Sequence, residues 1–361
     1  MILRFLTAGE SHGPALIGLV DGLPAGLVLS EDAIAKDLER RQRTHGRGGR
    51  QRIEKDRAKI LGGLVRGRTT GAPVALVIEN LDYANWVGIE VPPNRIPRPG
   101  HADLAGCLKW GFDDTRLVSE RASARETAMR VALGSVAKAL LAEAGISVLG
   151  ETAAIGTVEA TRFPSSLAAV DRSPVRCGDR KASASMVRAI DRAKAAGETL
   201  GGAVRVTGFG VPAGLGSSVQ WDRKLDGRIA QALMSIPSVK GVEIGDAAWQ
   251  SRAVGSRAQD PIRKGFRRAT NHAGGIEGGI TNGQSVVARA WMKPISTLRK
   301  GLPSVDLKTG RPARAPYQRS DACVVPAAAV IAEAMLAWIL ADALLERFGG
   351  DRLTDLRRAL R

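Results

Sequence analysis

Aromatic residues make up only 4% of this 361-residue chain. At that density they cannot build the stacking platform that single-stranded nucleic acid needs. Cysteine is scarcer still. Cys107, Cys177 and Cys323 are odd in number and form no CxxC pair. That argues against a disulfide framework and a zinc site, and points to a reduced, cytoplasmic setting. No Walker A motif and no GxGxxG after a strand occurs, so triphosphate and Rossmann dinucleotide readings are weak. The opening MILRFLTAGESHG lacks a basic stretch followed by an apolar run, so no secretory leader is expected. The most hydrophobic window, Cys323 to Ala341, carries Glu333 near its centre and Pro326 where a helix could begin. A charge there is costly in hydrocarbon, so the window reads as a helix buried in protein, with no membrane partner.

Acids are outnumbered: Lys plus Arg is 53 against 36 Asp plus Glu, a net charge of +17. The excess suits a polyanionic partner, whether nucleic acid, an acidic membrane surface or small phosphorylated ligands. With 44% hydrophobic residues the chain can bury a large core, as one big or two medium domains.

An internal echo organises the chain. Gly22-Leu23-Pro24-Ala25-Gly26-Leu27 is answered by Gly210-Val211-Pro212-Ala213-Gly214-Leu215. Each follows an alternating strand-like run and precedes an amphipathic helix, Ser30 to about Arg43 and Asp222 to about Ser235. A glycine-marked hairpin signal and a further alternating strand come next in both halves. Each half then reaches an Arg-led turn opening a long helix, Arg121-Ala122-Ser123 and Arg319-Ser320-Asp321. Ser123 with Glu126 three residues on reads as a capping box. The strands alternate rather than run as βαβ crossovers. The expectation is therefore an α+β fold, an internally duplicated β-α-β sandwich with helices layered between antiparallel sheets. It forms one domain of two pseudo-symmetric halves, about 1–150 and 151–361, with a ligand cleft where the two Arg-led turns meet.

Two of only four histidines, His12 and His101, sit in glycine-framed turns, Gly9-Glu10-Ser11-His12-Gly13 and Arg98-Pro99-Gly100-His101-Ala102-Asp103. Imidazoles titrate near neutrality, so the pair are candidate proton donors and acceptors. GESHG also fits the GxSxG nucleophile elbow, but Pro14 and an alternating run follow where the elbow needs a helix. The stretch Arg40–Arg52 holds six arginines and three glycines. It could be a solvated basic loop, an RGG-like nucleic-acid arm or a mobile lid over a phosphorylated ligand. The lid is favoured because Arg40 and Arg41 close a patterned helix. A second glycine cradle, NHAGGIEGGITNG, precedes a strand ending in Lys293-Pro294-Ile295-Ser296-Thr297, whose ammonium and hydroxyls could hold another anion.

Together GESHG (9–13), RPGHAD (98–103), ERASARETA (120–128), NHAGGIEGG (271–279), KPIST (293–297) and RSD…VVPAAAVIAEAML (319–336) resemble the monofunctional, bacterial or plastid-type chorismate synthase family, essentially end to end. The resemblance implies a lyase of the shikimate pathway, which leads to the aromatic amino acids. It implies conversion of 5-enolpyruvylshikimate 3-phosphate to chorismate and phosphate by 1,4-anti elimination, with reduced FMN required. It also implies NADPH as an indirect reductant, a homotetramer and no nucleic-acid partner. Carried over by motif, His12 would protonate the reduced flavin and His101 the departing phosphate, while Asp321 would pair with flavin N5 in removing the C6 hydrogen. Arg40, Arg41, Arg47 and Arg50 would contact substrate phosphate or NADP. FMN contacts would fall to Arg121, Ala122, Ser123, Pro237, Ser238, Gly278, Lys293, Pro294, Ile295, Ser296, Thr297 and Arg319. Ala122 and Ala322 depart from the Ser and Pro common in the family.

Overall fold

Leu16, Gly18 and Val20 alternate with Ile17, Leu19 and Asp21, and the strand they form buries the first set and exposes the second. The same period-two pattern recurs in Val74–Glu79 and Val286–Met292, one strand in each of the two large sheets. The computed structural model describes residues 3–47, 55–164, 166–317 and 321–361. In the first half, β1 (Arg4–Ala8), β2 (Ala15–Asp21), α1 (Glu31–Gln42), β3 (Ala58–Gly62) and β4 (Val74–Glu79) form an antiparallel sheet in the order β1-β2-β4-β3. Then come α2 (Asp103–Trp110), α3 (Thr115–Ala122) and the long α4 (Thr127–Ala142). The second half repeats the plan. β5 (Ser147–Ile155), β6 (Gly202–Phe209), α5 (Leu225–Met234), β7 (Val239–Ile244) and β8 (Val286–Met292) pair antiparallel as β5-β6-β8-β7, with Val158–Glu159 added at the edge. The long α6 (Val325–Phe348) closes the half. Strand order matches between the halves, as does a helix between the second and third strands, while a further helix, Arg180–Ala195, separates β5 from β6 and has no counterpart in the first half.

The two long helices are the middle layer. Every residue of α6 from Val325 to Leu345 is buried, which accounts for the hydrophobic window without a membrane. The helices cross closely enough that a Cβ on Gly134 would lie 2.2 Å from the Ala334 Cβ, so only glycine fits there. Ser30 caps α1 by accepting the Ala33 N–H. The second amphipathic helix begins later than the sequence suggests. A 3₁₀ turn, Trp221–Arg223, occupies its expected first turn, and α5 starts at Leu225.

At the centre of α6, Glu333 is a fully buried carboxylate. It accepts both Arg40 Nη groups at 2.8 and 2.9 Å, Lys138 Nζ at 2.7 Å and the Gly150 N–H at 2.9 Å. Arg40 also meets Asp37 at 2.7 Å and Asp171 at 3.2 Å, and Arg176 lies 3.9 Å from Glu333. One side chain therefore ties α1, α4, α6 and β5 together. Burial alone would push the Glu333 carboxyl up, but Lys138, Arg40 and Arg176 override it and hold it well below the usual range.

The outer faces of the two sheets differ. On the second sheet Leu149, Glu151 and Thr207 are buried, and the segment containing Arg176 bonds back onto Thr152. On the first sheet Leu6 (73% exposed), Leu61 (66%), Ile17 (45%) and Leu19 (43%) form an uncovered apolar face.

Replacing Glu333 by Gln removes the central counter-charge of three cations, leaving Arg40, Lys138 and Arg176 to share Asp37 and Asp171, and should cost about 3–5 kcal/mol in chemical denaturation at neutral pH. Because the folded carboxyl is depressed, its stabilisation is full above the ordinary value of 4.5 and is lost as pH falls through the folded value. The gap between wild type and Glu333→Gln should therefore hold from pH 7 to 5 and close in more acid solution. A gap independent of pH would refute this account.

Candidate active site

GESHG is the hairpin loop between β1 and β2, not an elbow ahead of a helix. Gly9 has φ +105, and a Cβ there would meet the Ala15 carbonyl at 2.2 Å, so the turn requires glycine. The loop is pinned to α3 from both sides. Ser11 N–H donates to the Glu120 carbonyl at 3.1 Å, and His12 N–H donates to Glu120 Oε2 at 2.8 Å. The His12 ring sets Nδ1 2.6 Å from Glu120 Oε1 and lies 4.4 Å from the Trp86 ring. Asn80 Nδ2 donates to the Gly13 carbonyl at 2.8 Å, closing the loop from β4.

The expected capping box does not close. Ser123 caps a 3₁₀ turn, Ala124–Glu126, by accepting the Arg125 N–H, and its hydroxyl donates to Ser11 Oγ at 3.2 Å. Glu126 turns away from the cap and binds Arg130 Nε at 2.9 Å and Thr7 Oγ1 at 2.9 Å. Arg121, in the last turn of α3, clamps the end of β1 through the Thr7 carbonyl at 2.9 Å and Thr7 Oγ1 at 2.6 Å.

This corner forms one wall of a cavity of about 360 Å³. Phe5 and Thr7 of β1 line it with Arg121, Ala122, Ser123, Glu126 and Arg130. Met335 of α6 and Ser235 and Pro237, just beyond α5, complete it from the second half. Its size falls within the range of small-molecule sites. Arg121 and Arg130 against Phe5 and Met335 suit a flat ligand that also carries negative charge. Four of the residues expected at a flavin, Arg121, Ala122, Ser123 and Pro237, thus share one hollow.

From its rim a chain of contacts leads to the other expected groups. Ser238 adopts φ +72, unusual for a non-glycine residue, and its carbonyl accepts the Lys293 N–H at 2.9 Å. The Lys293 ammonium donates to the Gly100 carbonyl, next to His101. Thr199 Oγ1 donates to the Ile295 carbonyl at 2.9 Å, and Gly201 packs under Pro294. Ser296 approaches Gly100, and Thr297 is buried. Leu200 N–H then bonds the Ala322 carbonyl at 2.9 Å, beside Asp321, which pairs with Arg47 Nε at 3.2 Å. Ser11–Ser123, Lys293–Gly100 and Ile295–Thr199 therefore connect His12, His101 and Asp321 to one surround, although none of the three lines the cavity itself.

His101 is the most firmly held. Its Nδ1 lies 2.5 Å from Asp103 Oδ1, and fully buried Asp103 also takes Arg98 Nε at 2.8 Å, Nη2 at 3.0 Å and N–H at 3.0 Å. Burial would raise the Asp103 carboxyl, but hydrogen bonds from His101 and Arg98 hold it well below the ordinary range.

Some expected contacts are not brought here. Arg40 is committed to Glu333, Asp37 and Asp171, so a fork that looks ready for phosphate is structural. Arg41, only 4% exposed, donates to the Ala124 carbonyl and Thr127 Oγ1 at 3.0 Å each, supporting the corner from behind rather than facing a ligand. Residues 43–47 of the expected lid are docked. His45 N–H bonds the Pro174 carbonyl, and the Gly46 carbonyl accepts the Ala322 N–H. Arg50, the remainder of that lid and Arg319 lie outside the described residues. Gly278 is the turn of the hairpin Ile276–Glu277/Ile280–Thr281, and the neighbouring Gly279 carbonyl accepts the N–H of Leu225, the first residue of α5. The cavity lies at the other end of α5, roughly 15 Å away at helical rise, so Gly278 does not reach it.

Sequence reasoning gave no part in the site to Glu120, Asp103, Arg98, Thr7 and Arg130, and read Glu126 only as a helix cap. Asp103 lies two residues from His101 in a tight turn and could have been found. Glu120 meets His12 across 108 residues, a pairing that composition and spacing do not signal.

With this geometry in place, the comparisons decide the family. The model of the chorismate synthase family matches residues 3–345. The chain belongs to the chorismate synthase family. It is 54% identical to the chorismate synthase of Desulforudis audaxviator, covering 98% of this chain and 95% of that one. It is 50% identical to that of Solibacter usitatus, covering 99% and 97%. A crystal structure of chorismate synthase superposes with a TM-score of 0.80 at 39% identity, over 99% of this chain and 96% of the other. Membership makes the protein a carbon–oxygen lyase, with the α+β fold described above.

If Gly278 stands apart from the cavity, Gly278→Ala should cost on the order of 1 kcal/mol in stability, from its φ of +60. Isothermal titration should find ligand affinity at the cavity unchanged within about twofold. A tenfold loss would bring that turn into the site.

Proposed function

We propose that the protein releases phosphate from 5-enolpyruvylshikimate 3-phosphate by 1,4-anti elimination to give chorismate, with reduced FMN at the cavity. The observation that carries this reading is that one hollow is walled by Arg121–Ser123 of the first half and Pro237 of the second, with both glycine-framed histidines connected to it. Reduced flavin, when bound, supplies an electron-rich ring that eases loss of phosphate and an N5 atom that takes up the C6 hydrogen.

The protein's own groups have distinct tasks. Arg121 and Arg130 would offer positive charge to an anionic cofactor held in the hollow, and Phe5 and Met335 would supply its apolar lining. Ala122 lines the hollow with a methyl, so contact there runs through backbone. Ser123, Ser238 and residues 293–297 complete the binding surface. His101 delivers a proton from its ring to the departing phosphate oxygen, without which phosphate leaves carbon poorly. His12, braced by Glu120 and Trp86, holds the proton that keeps the cofactor in its protonated reduced form. Asp321, oriented by Arg47, assists removal of the C6 hydrogen. Arg47 would also contact substrate phosphate or NADPH acting as an indirect reductant.

We assign the protein to the cytoplasm and read it as a homotetramer of single-domain, two-half subunits. The uncovered face of Leu6, Ile17, Leu19 and Leu61 supports assembly with a second copy. Its rim pairs Arg4 with Asp21 and Lys59 with Glu79, so two such faces related by a twofold axis can match opposite charges around an apolar centre.

Under nitrogen with photoreduced FMN, the protein should release phosphate and chorismate in equal amounts. His101→Ala should slow this on the order of 10²-fold or more. Folded protein without turnover, or a fast His101→Ala, would defeat the reading. Leu6→Glu with Ile17→Glu should yield smaller species by light scattering, and an unchanged assembly would remove this face from the interface.

A further inference from the structure

Two carboxylates without a role in the reaction as proposed hold the two histidines by one device. Glu120 Oε2 accepts the His12 N–H at 2.8 Å, and Oε1 faces His12 Nδ1 at 2.6 Å. Asp103 Oδ2 accepts the Arg98 N–H at 3.0 Å and Arg98 Nε at 2.8 Å, and Oδ1 faces His101 Nδ1 at 2.5 Å. In each case one oxygen is committed to a backbone donor and the other meets a ring nitrogen. Carboxylate oxygens accept hydrogen bonds, so the hydrogen of the neutral ring belongs on Nδ1, leaving Nε2 as the nitrogen that exchanges protons.

We propose that Glu120 and Asp103 are positioning residues of the elimination, each fixing its histidine as the Nδ1–H form so that protons pass through Nε2. The proposal rests on the reading of His12 and His101 as proton donors. In the step at His101, the carbon–oxygen bond breaks and its electron pair stays on the phosphate oxygen. The Nε2 proton moves to that oxygen, and the imidazolium becomes a neutral Nδ1–H ring still bonded to Asp103. Nothing is oxidised or reduced at the imidazole.

The arrangement predicts what an isosteric amide does. In Asp103→Asn, the amide oxygen stays on the Arg98 N–H and Nε, because an NH₂ group there would face two donors, against the single Arg98 Nη2 at the other position. The NH₂ then points at His101 Nδ1, which must carry a lone pair and surrender its hydrogen to Nε2. Glu120→Gln reverses His12 by the same logic, its amide oxygen being held by the His12 N–H. Arg98 Nη2 lies 3.2 Å from His101 Nδ1 but 3.0 Å from Asp103 Oδ1, and as a donor it is satisfied by the carboxylate, so the 2.5 Å contact between Oδ1 and Nδ1 is the one that sets the ring hydrogen.

The test uses the full chain labelled with ¹⁵N-histidine, each ring assigned from its own His→Gln variant, with tautomers read from long-range ¹H–¹⁵N spectra near neutral pH. In the wild type His12 and His101 should both be Nδ1–H. Asp103→Asn should move only His101 to Nε2–H, and Glu120→Gln only His12. Each amide variant should lose on the order of 10²-fold in kcat with KM held within about threefold. A ring that stays Nδ1–H in its amide variant overturns the proposal, as does a switched ring with wild-type kcat. Should Asp103→Asn fail to fold, Glu120→Gln, at a carboxylate 25% exposed, carries the test alone. Normal turnover in His12→Ala and His101→Ala would instead bring down the elimination reading itself, whereas normal turnover in the amide variants alone overturns only the positioning.

Discussion

The buried carboxylate of Glu333 is the constraint on which the rest of the structure depends. An unpaired charge between two sheets would cost several kcal/mol, so the fold must deliver cations to it from elsewhere. Arg40 comes from the end of α1, Lys138 from α4, and a backbone N–H from Gly150 in β5. Apolar packing alone tolerates small slips along a helix, but this junction does not, because each donor has one place to be. The register of α6 against α4 is fixed a second time by the Gly134–Ala334 contact. With α6 locked, Met335 projects into the cavity two residues beyond Glu333.

The cavity inherits its shape from that lock. Its walls come from strand ends and helix ends of both halves, and each wall segment is tied to a neighbour by a specific bond rather than by bulk packing. Arg121 fastens α3 to β1, Arg130 reaches the Ser235 hydroxyl at 2.7 Å across the seam, and Lys293 fastens the 293–297 segment to the His101 turn. Ser238 accepts a left-handed backbone at the place where the chain turns from α5 into β7. Strain of that kind costs on the order of 1 kcal/mol or more and persists only where surrounding bonds hold it. Here Ser238 O receives the Lys293 N–H.

Much of this architecture was legible in the sequence, for a definite reason. Period-two and helical patterns are local, and their repetition in the same order revealed the doubled β-β-α-β-β-α plan before any coordinates. The histidine turns were legible because glycine and proline mark them. Long-range charge pairing was not. A run of arginines reads alike whether it faces water, phosphate or a carboxylate 293 residues away, which is why Arg40 read as a ligand contact and proved to be an anchor for Glu333. Gly278 stands apart from that cavity for a related reason: a glycine pair signals a turn but not which end of the adjoining helix the turn caps.

The net charge of +17 deserves the same scrutiny, because the basic stretch behind α1 is where an anion-attracting field would first be sought. In the folded protein Arg40, Arg41 and Arg47 each lie within 4 Å of a carboxylate: Glu333, Asp56 and Asp321 respectively. Opposite charges at such distances cancel much of each other's field beyond the immediate neighbourhood. Long-range attraction must therefore come from other cations, and these three arginines act at contact range. Arg40 and Arg41 commit their charge to the fold itself, one to the buried Glu333 and the other to the turn before α4, so a run of like charges in the sequence becomes a set of separate internal anchors.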